Sequence, residues 1–203
     1  MTKEEYSAEL EKYVPKDAAS TLTSWIFKHH IQLTISKSRK TKLGDFRTNS
    51  NTNALKISVN GNLNPYAFLI TLTHEIAHAV VHKKNHTRVK PHGIEWKLEY
   101  RNLMLIFFAK NVFPDDIARP LAGYMQNPKA SSNADHKLYL ALKSYDPIDE
   151  NITLLKDLKE GDEFILQNKL FKKGHKRRTR YSCIELSSNR EYTVNAMAEV
   201  IPA

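Results

Sequence analysis

The stretch from 70 to 97, ITLTHEIAHAVVHKKNHTRVKPHGIEWK, constrains this chain more than any other. At its centre His74, Glu75 and His78 form H-E-x-x-H. On an α-helix, residues four apart share a face and stand about 6 Å apart along the axis. Two imidazoles so placed converge on one zinc ion. A glutamate one step round from the first is then placed to hold and deprotonate a water. The pattern carries that chemistry only on a helix, and the flanks specify one. Asn64 suits an N-cap and Pro65 the first helical position, and apolar residues recur at Phe68, Leu69, Leu72, Ile76, Ala79 and Val80. The plainer reading is an amphipathic helix whose histidines are ordinary surface or core residues, since five-residue matches arise by accident. The helical context, the apolar face and a further histidine after a turn favour the metal site.

A catalytic zinc takes three protein ligands and keeps its fourth position open. His82, His86, His92 and the more distant His136 compete for the third place. His82 continues the i, i+4 row, but the rise from His74 to His82 is about 12 Å. Zn–N bonds are only about 2 Å long, so one ion cannot take all three. His92 is the better candidate. It follows Lys90-Pro91, which breaks the first helix, and opens a second periodic segment through Trp96, Leu98, Tyr100, Leu103, Met104 and Phe107. A second helix folded back on the first brings His92 to the open side of the pair. His82 and His86 are read as solvated, or at most as supporting the ligands.

HEIAH followed by PHGIEWK, with the strand-like ALKISVN before them, resembles the SprT-like family, which includes the Spartan proteases that degrade DNA–protein crosslinks. The resemblance covers roughly residues 6 to 108 and rests on the paired motifs and their order. It implies that His74, His78 and His92 are zinc ligands and that Glu75 is the catalytic glutamate. Many members carry a four-cysteine zinc ribbon after this domain, whereas this chain has a single cysteine, Cys183. The ribbon is therefore absent or replaced, and nucleic-acid contacts attributed to it do not carry over.

Composition adds bounds. The 203 residues allow one compact domain and a small appendage, and 41% hydrophobic content supports a real core. With 31 Lys+Arg against 22 Asp+Glu the formal charge is +9, which favours polyanionic partners without dictating a fold. One cysteine excludes an intrachain disulfide framework and fits a reducing compartment. No apolar signal core opens the chain and no run long enough to span a membrane occurs, so a soluble, cytoplasmic protein is expected.

Residues 3 to 12 read as a short helix, and Pro15 begins a second, with Ala18, Leu22, Trp25, Ile26 and His29 facing inward. IQLTIS alternates as a strand, a second strand is expected around Leu43 to Arg47, and ALKISVN alternates through Leu55, Ile57 and Val59. The basic run Lys37, Arg39, Lys40 and Lys42 reads as a solvated edge hairpin, with a phosphate-contacting loop as the alternative. After Phe108, a short helix begins near Pro114, a linker follows at Asn127-Pro128, and Asn133 is expected to cap a further helix. From Thr153 short strands succeed one another and indicate a β unit of four or five strands. The fold class is thus α+β: a small sheet packed with helices carrying the zinc site (1–112), a helical connector (113–150) and a small all-β unit (151–203).

In the last unit, Lys169, Lys172, Lys173, Lys176, Arg177, Arg178 and Arg180 surround Phe171 and Tyr181. Cations interleaved with rings suit DNA or RNA, six of them (Lys172, Lys173, Lys176, Arg177, Arg178 and Arg180) being the candidate contacts. The competing reading is a charged hairpin whose rings lie in a β core. Cys183 is expected to be a small core residue.

Three functions compete. The first is a zinc metallopeptidase cutting protein substrates, with DNA–protein crosslinks among them by resemblance. The second is a nucleic-acid-associated factor related to transcription elongation, in which the protease-like domain binds rather than cuts. The third is a structural zinc site, which normally closes with four protein ligands.

Overall fold

A computed structural model describes residues 1–39, 41–48, 54–85, 89–131, 135–147 and 151–203. Two compact units result, Met1–Asp146 and Pro147–Ala203.

In the first unit, α1 (Lys3–Leu10) begins with a capping box between Thr2 and Glu5. Helix α2 (Lys16–His29) follows Pro15 and ends where His30 enters the left-handed region at φ 56°. It buries Ala18, Ala19, Leu22, Thr23 and Ile26, while Trp25 packs edge-on against Phe107 at 5.3 Å. Burial first, then Lys83 and Lys28, push the His29 imidazole down.

Strand β1 (Ile31–Ser36) runs parallel to β3 (Leu55–Asn60), and β2 (Gly44–Thr48) pairs antiparallel with the other edge of β3, giving the order β1-β3-β2. The alternation read from ALKISVN is realised, with Leu55, Ile57 and Val59 all buried. Helix α3 (Pro65–Asn85) lies at the centre. Asn64 caps it, its Oδ1 accepting from the amides of Tyr66 (3.1 Å) and Ala67 (2.9 Å). Its Nδ2 donates to Leu142 O at 2.8 Å and to Asp146 Oδ1 at 2.7 Å, which ties the start of α3 to the end of α6 (His136–Lys143). From Phe68 to Ala77 every side chain of α3 is buried, so this helix is enclosed on all sides rather than amphipathic.

Helix α4 (Ile94–Ala109) buries Trp96, Tyr100, Leu103, Met104 and Phe107 and leaves Leu98 exposed. Helix α5 (Asp115–Gln126) and α6 follow. Ile117, Leu121, Tyr124, Leu138 and Leu142 join the same core as α3 and α4, so most of the stretch read as a connector belongs to the first unit. Asn133 lies outside the described residues, and the cap of α6 is Asp135, which accepts from Leu138 N at 3.0 Å.

The second unit is a six-stranded antiparallel sheet. Its strands are β4 (Thr153–Leu154), β5 (Glu163–Leu166), β6 (Lys169–Arg177), β7 (Arg180–Glu185), β8 (Arg190–Asn195) and β9 (Glu199–Pro202), in the order β4-β9-β5-β6-β7-β8. The run from Glu191 to Ile201 contains parts of two strands, and the short β4 at Thr153–Leu154 adds another, which takes the number to six. Gln167 and Asn168 both take positive φ (53° and 63°) and form the two-residue turn between β5 and β6. Leu155, Phe164, Phe171, Cys183 and Val200 make the core.

Candidate metal centre

Helix α3 presents His74 and His78 one turn apart, with Glu75 between them. The third imidazole arrives by a tight turn. Gly93 N donates to Lys90 O at 2.8 Å, and His92 sits in the left-handed region at φ 57°. That conformation is unfavourable for a residue with a side chain and recurs at functional sites.

The three Nε2 atoms form a near-equilateral triangle: His74 to His92 3.1 Å, His74 to His78 3.2 Å, His78 to His92 3.0 Å. Hydrogen bonding alone cannot satisfy this triangle. Each Nε2 either carries a proton or offers a lone pair, so two of the three must be alike and repel. A cation at the focus of three lone pairs removes the conflict. Tetrahedral coordination at about 2.0–2.1 Å requires nitrogens about 3.3 Å apart, close to what is found. Among the described residues no fourth His, Cys, Asp or Glu joins the group, which is the donor set of an open site rather than a closed structural one. His82 instead packs its ring against Phe46 at 5.9 Å, and His86 lies outside the described residues.

Burial disfavours the charged form of the three rings and so favours the neutral form that binds metal. It pushes His74 well below the ordinary imidazole range, with His78 and His92 adding repulsion. His78 falls to about 4 for the same reasons, burial first and then His92. His92 is lowered by burial and by Lys97.

An aromatic stack supports the rings. Trp96, 1% exposed, lies 4.5 Å from the His74 ring, 5.1 Å from His78 (interplanar 26°) and 4.7 Å from His92. Its indole N–H donates to His74 O at 3.4 Å, and Tyr100 stacks beneath it at 5.0 Å. On the other side Phe46 of β2 lies parallel to His78, with ring centroids 6.4 Å apart. The periodicity of α4 marked Trp96 and Tyr100 only as apolar positions. Nothing local distinguishes a ring that supports ligands from one that fills a core.

Strand β2 borders the site. A Cβ on Gly44 would stand 2.7 Å from Glu75 Oε1 and 2.7 Å from Thr71 Cγ2, so the strand approaches the glutamate as closely as a bare α-carbon permits. Asn60 N donates to Leu43 O at 2.9 Å, which makes 44–59 and 46–57 the pairs whose main-chain groups point away from β3. Among the described residues no strand covers that edge. The loop leading into β2 is held down by part of the basic run. Arg39 donates to Asn60 Oδ1 at 2.8 Å and to Ser58 Oγ at 2.9 Å, and Lys42 pairs with Asp45 at 3.0 Å. Lys40 lies outside the described residues. Glu75 is 7% exposed, and burial, assisted by Asp45 against the opposing pull of Arg39 and Lys42, raises its carboxyl to about 8.

In the second unit Lys172, Lys176, Arg177, Arg178 and Arg180 are exposed. Lys173 is not: it is 3% exposed, its Nζ donates to Leu158 O at 2.5 Å, and the amine lies 3.9 Å from the centre of the Tyr181 ring. Lys173 lies two residues after the buried Phe171 and shares its inward face by ordinary strand alternation, and the bulge in β6 follows, between Lys173 and Lys176. Phe171 is buried and stacks on Phe164 at 5.6 Å. The rings of the basic stretch thus face inward, as the competing reading held.

A central helix bearing H-E-x-x-H, a third histidine from the next turn and a bordering edge strand define a metallopeptidase-like α+β domain. Residues 16–115 match the model of the SprT-like family. The family is associated with zinc, which the three-histidine group suits. Neither the curated proteins nor the solved structures compared with the chain provide a match. Among the described residues, no helix is long and apolar enough to cross a membrane.

Proposed function

We propose that the first unit is a zinc-dependent endopeptidase of SprT type acting on protein substrates. The observation that carries this reading is the triangle of Nε2 atoms 3.0–3.2 Å on a side, adjoining a buried glutamate. His74, His78 and His92 would hold the ion. Zinc bound there supplies Lewis acidity to a peptide carbonyl and to water. The outward main-chain groups of Gly44 and Phe46 bind an extended substrate as an added strand. Glu75 takes a proton from the attacking water and delivers it to the departing amine nitrogen, so the peptide C–N bond breaks as the new C–O bond forms. Trp96, Tyr100 and Phe46 hold the imidazoles in place and limit the access of water to them.

The exposed cations of the β6–β7 hairpin favour a second component, binding to DNA or RNA through phosphates without base stacking. Together with the first it directs proteolysis to DNA-bound proteins, crosslinked ones included. Without catalysis it becomes a nucleic-acid-associated factor related to transcription elongation. A cytoplasmic setting belongs to the same proposal, supported by the single, buried, unpaired cysteine.

The test is metal analysis with a cleavage assay on a DNA-bound protein, with and without DNA. Glu75→Gln is expected to retain zinc and lose cleavage by at least about a hundredfold. Unchanged cleavage by that variant removes the mechanism. Zinc retention without cleavage by the wild type leaves the binding reading.

A further inference from the structure

A pocket of about 220 Å³ opens beside the glutamate, and its wall includes His74 and Glu75 but neither His78 nor His92. It is therefore distinct from the place where three imidazoles meet. Leu43, Gly44, Ile70, Tyr100 and Ala130 give it an apolar part, and Thr41, Lys42, Thr71 and Ser131 a polar one. Ile70 and Tyr100 are 1% and 0% exposed, whereas Ala130 stands on the exposed wall.

We propose that this pocket receives one uncharged, apolar side chain of the substrate, next to the bond that is cut. The protein is then selective for an aliphatic or aromatic residue at that position. The inference rests on the peptidase reading of the same site.

Size is the first argument. Pockets for small molecules run to about 300–1,000 Å³, so this one is scaled to a single side chain. Polarity is the second. The phenol of Tyr100, a polar group set deep in the wall, donates to Ile70 O at 3.3 Å. Lys42 also lines the pocket but is paired with Asp45 at 3.0 Å. A charged side chain of either sign would leave water for a pocket in which Lys42 is already paired with Asp45 and Glu75 is committed to the metal centre, so neither charge gains a free partner. An apolar side chain meets Leu43 and Ala130, in front of the enclosed Ile70 and Tyr100, and gains by leaving water. Continuity with the metal centre is the third. Any side chain at position 44 would press on Glu75 and Thr71, both of which line the pocket, so glycine keeps the passage between pocket and glutamate open.

The experiment uses the zinc-loaded full chain and a peptide series identical except at one position beside the cut, which carries Leu, Phe, Ala, Asp or Lys. The Leu and Phe peptides are expected to be cut with kcat/KM about tenfold or more above the Asp and Lys peptides. Ala130→Trp, on the exposed wall, should lower the Phe peptide about tenfold and leave the Ala peptide unchanged. Leu43→Ala, which widens the pocket, should narrow the preference for Leu over Ala. Equal rates across the series, or a uniform loss in Ala130→Trp, overturn the proposal. If the wild type cuts no peptide, the peptidase reading fails, and the pocket is then judged on binding alone. In that case calorimetry with zinc-loaded Glu75→Gln must show the Leu and Phe peptides bound in preference to Asp and Lys. Equal or absent binding there overturns the pocket as well.

Discussion

Gly44 and Glu75 meet across the gap between β2 and α3 at a distance that leaves no room for a methyl group, since a Cβ at 44 would lie 2.7 Å from the carboxylate Oε1. The glycine is demanded by space, because its φ is not positive and any residue could adopt its backbone. Gly44→Ala should therefore displace the carboxylate while leaving the three histidines untouched. Kinetics and zinc analysis of the purified variant should show kcat/KM lower by about tenfold to a hundredfold at unchanged metal content, as a displacement of about 1 Å implies. A variant with full activity would show that the carboxylate position is not critical.

Trp96 touches all three histidine rings, so its loss should loosen the metal site without removing a ligand. Groups that orient ligands typically contribute about 10–100-fold in affinity. Trp96→Phe should weaken zinc by about tenfold in competition with a chelator, and Trp96→Ala by more. The alanine variant should also lose about 3–5 kcal/mol of stability, as expected for a large buried ring. Only Trp25 and Trp96 are tryptophans, so in a Trp25→Phe background the fluorescence of Trp96 alone should change on zinc titration.

Lys172 and Lys173 are neighbours in sequence with opposite surroundings, one exposed and one beneath the sheet surface. Neutralising Lys172, Lys176, Arg177 and Arg178 together should weaken binding to DNA and flatten its dependence on salt, by about 0.7–0.9 in log–log slope for each phosphate that no longer meets a cation. Lys173→Ala should leave that slope unchanged and lower the melting temperature instead, since it removes a buried amine from Leu158 O and Tyr181. Fluorescence anisotropy at several salt concentrations, beside thermal melts, separates the two roles.

Glu185 supplies a pH signature for the second unit. It is 4% exposed, and Lys169 at 2.8 Å and Ser188 at 2.7 Å, with Tyr192, lower its carboxyl to about 2. Because the folded form holds its proton less tightly than the unfolded chain, the contribution to stability is complete above about 4.5 and disappears as pH falls through about 2. Amide exchange of β7 should show wild type more protected than Glu185→Gln at neutral pH, with the difference gone near pH 2. A difference that persists at pH 2 would indicate packing rather than charge.

Local signals carried much of the architecture. Asn64 and Pro65 start α3 where the residue types placed the cap and first turn, because capping is a property of adjacent residues. The alternation in β3 is local in the same sense. His92 could be nominated because helix rise alone excludes His82 from sharing an ion with His74.

The sequence by itself determined that a central helix carries two imidazoles and a carboxylate on adjoining faces, and that a third imidazole follows a turn. It did so because helix period, caps and breakers act over a few residues. Only the tertiary structure decided that Trp96 lies against the three rings, that Gly44 stands against Glu75, and that Lys173 is buried while Lys172 is not. Those relations join positions up to tens of residues apart, or depend on which face of a strand the core covers. They are settled by which surfaces exclude water together, a property of the folded chain as a whole.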